Sequence, residues 1–154
     1  VSAGTALHAT CLVIGEAGVL LRGPSGAGKS TLARRLISAA TRDGRYASLV
    51  GDDRIRLEAV AGRLVARPHP AIAGRLEVRG VGLTQVVHEP GAVVRLVVDC
   101  GTVPLERLPP DTELWAEMEG VRVHRTVAHW AEEDRVLLVL DGVAGRSAME
   151  PFRL

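Results

Sequence analysis

The 154-residue chain is short of several things that whole classes of function require. Its aromatic residues are only Tyr46, Trp115, Trp130 and Phe152, too few for the stacking platforms on which single-strand nucleic-acid binders depend. Its two cysteines, Cys11 and Cys100, cannot frame a disulfide scaffold in a chain of this length. Each stands in an apolar run, Cys11-Leu12-Val13-Ile14 and Leu96-Val97-Val98-Asp99-Cys100, and reads as a buried free thiol. No apolar stretch approaches the roughly 18 residues of a membrane span. Val1-Ser2-Ala3-Gly4 carries neither the charged nor the apolar region of a signal peptide, so the expectation is a cytoplasmic protein. An excess of one charge sign is missing too. Nineteen basic residues stand against 18 acidic ones, interleaved along the chain, which argues against a general nucleic-acid partner.

Lysine is nearly absent as well. Of the 19 basic residues 18 are arginine, and the single lysine is Lys29.

What is present is a 47% hydrophobic composition built on Val, Leu, Ile and Ala, enough for one domain spanning 1–154. Ala6–Ile14 and Val19–Leu21 read as a hairpin across Gly15-Glu16-Ala17-Gly18. Leu32, Leu36 and Ile37 recur at helical spacing within 30–40, with Arg34 and Arg35 opposite. Further strands are expected at Tyr46–Val50, at a hairpin around Ile55, Leu57, Leu64 and Val65, and at Leu76–Val81, Ala92–Val98, Val121–Val127 and Val136–Leu140. So many strands joined by tight turns predict a mixed α/β fold with several antiparallel strands.

Between the second strand and the helix lies Gly23-Pro24-Ser25-Gly26-Ala27-Gly28-Lys29-Ser30, a full match to G-x-x-x-x-G-K-[ST], followed by Thr31. Glycines let successive backbone N–H groups turn inward on phosphate oxygens, and the following helix aims its positive end at the same anion. Lys29 supplies a slender point charge for the β- and γ-phosphates, and the Ser30 hydroxyl is the expected Mg²⁺ ligand. A chance match in so short a chain is expected in well under about one sequence in a hundred. The lone lysine falls on the one position that asks for lysine.

A phosphate-loop enzyme also needs an acid at a neighbouring strand end. Three places offer one: Asp52-Asp53, Asp99, and Asp141 before a Gly142 turn. The doubled acid stands out, because adjacent carboxylates repel unless a cation or shared proton stabilises them. Glu77 and Arg79 share one face of a strand, fitting either a metal or phosphate role or a surface ion pair. His8 faces the loop if the first hairpin folds back on it, whereas the other histidines show no metal-ligand spacing.

In order, the chain holds His8-Ala9-Thr10, the Gly-Val-Leu-Leu hairpin, Gly-Pro-Ser-Gly-Ala-Gly-Lys-Ser, Asp52-Asp53-Arg54, and Leu76-Glu77-Val78-Arg79-Gly80-Val81-Gly82-Leu83. From about residue 5 to residue 98 this resembles the catalytic domain of HPr kinase/phosphorylase, in the short alphaproteobacterial form without the N-terminal regulatory domain. The resemblance implies a P-loop, phosphoenolpyruvate-carboxykinase-like fold and phosphate transfer from ATP, with Mg²⁺, to a serine of an HPr-type phosphocarrier. It implies Asp52 as general base, His8 beside the reacting phosphate, Lys29 on the β/γ-phosphates, and Ser30, Glu77 and Asp53 around the metal. It further implies a homo-oligomer, hexameric in the long members, and phosphorolytic removal of the same phosphate. The long members' Pro-x-Arg-Pro-Gly-Arg-Asn loop has no counterpart here; Arg125 and Arg135 are the arginines available to stand in. Two other functions fit the same residues: an ATP- or phosphate-sensing module with weakened catalysis, and a small-molecule kinase. The composition sets one test. Lys29→Arg keeps the charge but replaces a point donor by a broad fork, so phosphate transfer from ATP should fall tenfold or more, about 1.4 kcal/mol; a fully active variant contradicts the reading.

Overall fold

In the computed structural model, residues 4–70, 73–78, 80–85, 88–101 and 113–144 are described. The first hairpin does not form as one long strand and its return. β1 (Thr5–Leu7) and β2 (Ala9–Ile14) are separated by a bend at His8, and β3 (Ala17–Arg22) pairs antiparallel with β2 from Ile14↔Ala17 to Ala9↔Arg22. The bend sends the two pieces to different partners. β1 pairs with β5 (Ile55–Val60), while β2 pairs with β3 and with β4 (Ala47–Gly51). His8 is thereby left at the corner between them.

β5 and β6 (Arg63–Pro68) form the expected hairpin, and β9 (Ala92–Cys100) occupies the middle of the sheet. The path runs β1-β5-β6-β9-β3-β2-β4; β11 (Val121–Ala128) also lies on β9, and β10 (Trp115–Met118) pairs with β11. Among the described strands of this nine-stranded sheet, β3–β9 and β9–β11 pair in parallel and the others antiparallel. A separate two-stranded hairpin, β7 (Arg75–Val78) with β8 (Gly82–Gln85), runs beside α1 (Lys29–Arg42).

Continuous apolar strands follow from a sheet covered on both faces. All six residues of β2 are buried. Leu12 and Ile14 join Val19, Leu21, Leu32, Leu36, Leu96 and Val98 on the helix side. Cys11 and Val13 join Leu20, Val97, Val50, Ile55 and Leu64 on the other. Burial pushes the Cys11 and Cys100 thiols up to about 12, so both are inert as the sequence suggests.

Val136–Leu140 is not a strand. It lies within α2 (Glu133–Ala144), where Val136, Leu137, Leu140 and Val143 are buried and Leu138 is exposed. A five-residue apolar run is too short to separate period 2 from period 3.6, and the helical period emerges only when Val143 is included. Asp141 is therefore neither strand-terminal nor in a turn: it is helical and pairs with Arg45 at 2.9 Å. Arg35 on α1 clamps Glu133 at 2.8 and 3.0 Å, fastening the two helices together.

The parallel centre carries its own clamp. Asp99, at the end of β9, accepts two hydrogen bonds from Arg22 of β3, at 2.8 and 2.9 Å, and a third from Arg125 of β11. Burial alone would raise this carboxyl, but the Arg22 and Arg125 guanidinium groups outweigh it and hold the group below the usual carboxylate range. A lowered folded-state pKa adds stability above the ordinary carboxylate value and loses it as pH falls through the lower, folded one. Asp99→Asn should therefore cost about 1–3 kcal/mol at pH 7 in urea unfolding. The gap to wild type should close as the pH falls below about 4; a gap independent of pH would contradict this clamp.

Candidate functional site

β3 ends at Arg22 and the chain passes directly into the glycine-rich loop, which ends on α1. The loop turns on an Ala27 N–H donated to the Pro24 carbonyl at 3.0 Å. Two of its glycines are dictated by shape. A Cβ on Gly23 would stand 2.7 Å from the Cys100 carbonyl oxygen. One on Gly28 would stand 2.5 Å from Cβ of Trp130, and Gly28 adopts φ +90. Gly28 is also the N-cap of α1 and offers no side-chain cap, and the first helical turn holds no acid. The helix thus presents its positive end to the cavity with no acid of its own to offset it.

That cavity, about 260 Å³, is lined by His8, Thr10, Ser25, Gly26, Gly28, Lys29, Ser30, Thr31, Asp52 and Asp53. Residues distant in sequence meet here because β2 lies between β3 and β4, so the ends of all three strands converge. Asp52 follows the last residue of β4 and is 5% exposed. It accepts hydrogen bonds from Ser30 Oγ at 2.8 and 2.9 Å and from Thr10 Oγ1 at 2.6 Å. Asp53 turns the other way in a left-handed conformation, φ 69, and pairs with His8 Nε2. The two adjacent carboxylates thus relieve their repulsion by facing different partners. Lys29 is 7% exposed and donates to the Gly23 and Pro24 carbonyls at 2.7 and 3.1 Å.

The structure therefore brings His8, the loop from Gly23 to Thr31, Asp52 and Asp53 around one cavity. Glu77 lies on β7, opposite Leu83 in the β7–β8 register, but its side chain lies outside the described residues, as does Arg79. Arg125 is taken up by Asp99 and by the Glu113 carbonyl at 2.8 Å, and Arg135 donates to Thr126 at 3.2 Å. Asp99 is consumed by its two arginines. Thr10 escaped the sequence reading as a site residue because a threonine in an apolar strand looks like an ordinary strand former. Trp130 escaped it because nothing local ties it to a glycine 102 positions earlier.

The model of the HPr serine kinase C-terminal domain matches residues 1–96, more than half of the chain. The chain belongs to that family. Within it, the HPr kinase/phosphorylase of Mycoplasma mycoides subsp. mycoides is 36% identical over 84 residues, 54% of this chain and 25% of that protein. The enzyme of the same name from Neisseria meningitidis is 34% identical over 106 residues, 64% of this chain and 31% of that protein. The chain thus spans between a quarter and a third of these curated relatives' length. A solved HPr(Ser) kinase/phosphatase from Coxiella burnetii superposes with a TM-score of 0.65 at 25% identity, covering 89% of this chain and 93% of that one. The family's mixed sheet agrees with the antiparallel-rich α/β fold expected from sequence. No helix among the described residues is long and apolar enough to cross a membrane.

The donor set suits the small hard cation and the nucleotide that the family uses. Ser30 Oγ and the Asp52 carboxylate are oxygen donors side by side, next to an uncapped helix end that favours phosphate. Among the described residues no group of three or more His, Cys, Asp or Glu is placed to hold a metal ion. Loop shape gives a test by comparison. Gly26→Ala meets open space and carries only the cost of φ +86, about 1–2 kcal/mol, whereas Gly28→Ala adds the collision with Trp130. Urea unfolding should show Gly28→Ala as clearly the less stable of the two; equal losses would contradict the packing.

Proposed function

We propose that this domain is a Mg-ATP-dependent protein serine kinase acting on an HPr-type phosphocarrier, using Gly23–Ser30 as a P-loop. The observation that carries the reading is the convergence of Ser30, Asp52, Asp53 and His8 on the mouth of the glycine loop, in a chain of this family. Loop N–H groups and the α1 terminus receive the phosphates, and Lys29 exchanges two backbone carbonyls for β- and γ-phosphate oxygens. Ser30 and Glu77 from β7, with Asp53 at the rim, would hold Mg²⁺, which would neutralise charge on the transferring group. Asp52 takes the proton of the serine hydroxyl as its oxygen bonds to the γ-phosphorus and the bond to ADP breaks. Run backwards with inorganic phosphate as the acceptor, the same residues remove the phosphate as pyrophosphate. Homo-oligomeric assembly belongs to the same reading.

One observation favours a second distribution of roles. Asp52 is almost wholly buried with Ser30 and Thr10 on its oxygens, while the Asp53 side chain is 61% exposed and pairs with His8. A protein-borne serine reaches an exposed carboxylate more easily, which would make Asp53 with His8 the acid–base pair and Asp52 with Ser30 the metal side.

Incubation with ATP labelled on its γ-phosphate and small phosphocarrier proteins tests the function, and Asp52→Asn and Asp53→Asn assign the roles. Wild type should label a phosphocarrier on serine. The variant lacking the base should lose transfer at least a hundredfold yet bind ATP with unchanged Mg²⁺ dependence. The metal-side variant should raise the Mg²⁺ requirement instead. A wild type that binds ATP and labels no phosphocarrier overturns the proposal.

A further inference from the structure

The arginines of this chain are not all put to the same use. Arg22 and Arg125 clamp Asp99, Arg35 clamps Glu133, and Arg45 holds Asp141. Arg63, Arg95 and Arg122 make no ion pair among the described residues, and all three line one cavity of about 220 Å³. Among the described residues no carboxylate lines it. Glu117 stands opposite Arg122 in the β10–β11 register, yet the Arg122 guanidinium lies instead over the Trp115 ring, 3.9 Å from its centre. His124 also lies against that indole, at 4.0 Å between ring centres.

The sheet topology makes this cavity. One edge of β9 is shared by two strands: β6 pairs antiparallel with Ala92 and Val93, and β11 pairs parallel from Leu96 onward. Between them, at Val94 and Arg95, β6 and β11 diverge and leave a notch. Arg63 and Arg95 each lie two residues beyond the last paired position, Val65↔Val93, and both line the notch. Like charges gathered there repel, and among the described residues no lining group of opposite charge offsets them. An arrangement of three guanidinium groups around a partly apolar hollow is relieved by an anion that brings several oxygens.

We propose that the notch is a binding site for a small organic anion with at least two anionic oxygens, either a di- or tricarboxylate or a phosphate monoester. Guanidinium forks pair with such oxygens two at a time, and the Trp115–Arg122 stack fixes one fork in place. The apolar floor, which includes Val94, accepts a short carbon skeleton. At about 220 Å³ the hollow is smaller than the roughly 300–1,000 Å³ of pockets for drug-sized ligands, so a metabolite of a few carbons fits and a nucleotide does not. The site is distinct from the glycine loop. Strands β3 and β9 run parallel from Gly18↔Val94 to Arg22↔Asp99, with the notch at one end and the loop beyond the other, about 15 Å of strand apart.

The two tryptophans allow a separate readout of each site, because Trp115 lines the notch and Trp130 packs on Gly28. In Trp130→Phe, Trp115 is the sole indole. Citrate and glycerol 3-phosphate are titrated into it in separate arms, without Mg²⁺ and at constant ionic strength. At least one should change Trp115 emission saturably, and the responding arm identifies carboxylate or phosphate as the recognised group. Adding Arg63→Gln and Arg95→Gln together should weaken that response at least tenfold. ATP titrated into the same arginine pair on a Trp115→Phe background should move Trp130 emission as before, showing an intact fold. A response in neither arm, a response matched by chloride, or one that survives loss of both arginines overturns the proposal. So does a response to hexaglutamate alone, which would make the notch a protein-docking surface.

Discussion

The position of Asp52 is the constraint on which the site depends. A nearly buried carboxylate is tolerated only with hydrogen-bond partners, and here the partners come from two other elements: Thr10 of β2 and Ser30 of α1. Those bonds hold the end of β4 against the first turn of the helix. Because β2 is the strand between β3 and β4, the same contact fixes where the glycine loop lies relative to the doubled acid. Asp53 is then forced outward in a left-handed turn and meets His8 at the bend between β1 and β2. One acid is directed to the loop serine and the other to the histidine. The division of labour between two adjacent carboxylates is thus a consequence of packing.

The sheet around this contact is suited to hold it still. Its central strands are buried on both faces, and the charges at their loop-side ends are matched. Asp99 with Arg22 and Arg125 ties three strands together immediately before the loop begins. Trp130 closes on Gly28 from the segment leading into α2, and its indole lies 5.7 Å from the Arg35 guanidinium that also holds Glu133. The loop therefore rests on a frame in which each charged group near it has a named partner, while its own N–H groups and helix end face the cavity.

The parts of this arrangement written in contiguous residues were legible beforehand. Eight successive positions spell the glycine loop, and the lone lysine marks its cation. The 3.6-residue spacing of Leu32 and Leu36 gave α1, and alternation gave the β5–β6 hairpin. What could not be read locally were pairings over long separations. His8 with Asp53 spans 45 positions, and Arg22 with Asp99 spans 77; only the order of motifs in the resembling family hinted at the first. Thr10 was invisible as a site residue because its chemistry is revealed only by what lies across the sheet. Helix α2 was misread for the opposite reason: its signal is local but longer than the apolar run that drew attention, and its glycine and aspartate look like a turn when taken alone.

Titrating ATP calorimetrically, once with Mg²⁺ and once with EDTA, reaches the centre of the account. If Ser30 and Asp52 together make a metal-assisted triphosphate site, binding should be stoichiometric with one nucleotide per chain. It should also tighten tenfold or more with Mg²⁺, about 1.4 kcal/mol. Affinity that ignores Mg²⁺, or no binding at millimolar ATP, would show that the hydrogen bonds around Asp52 serve only to hold the fold.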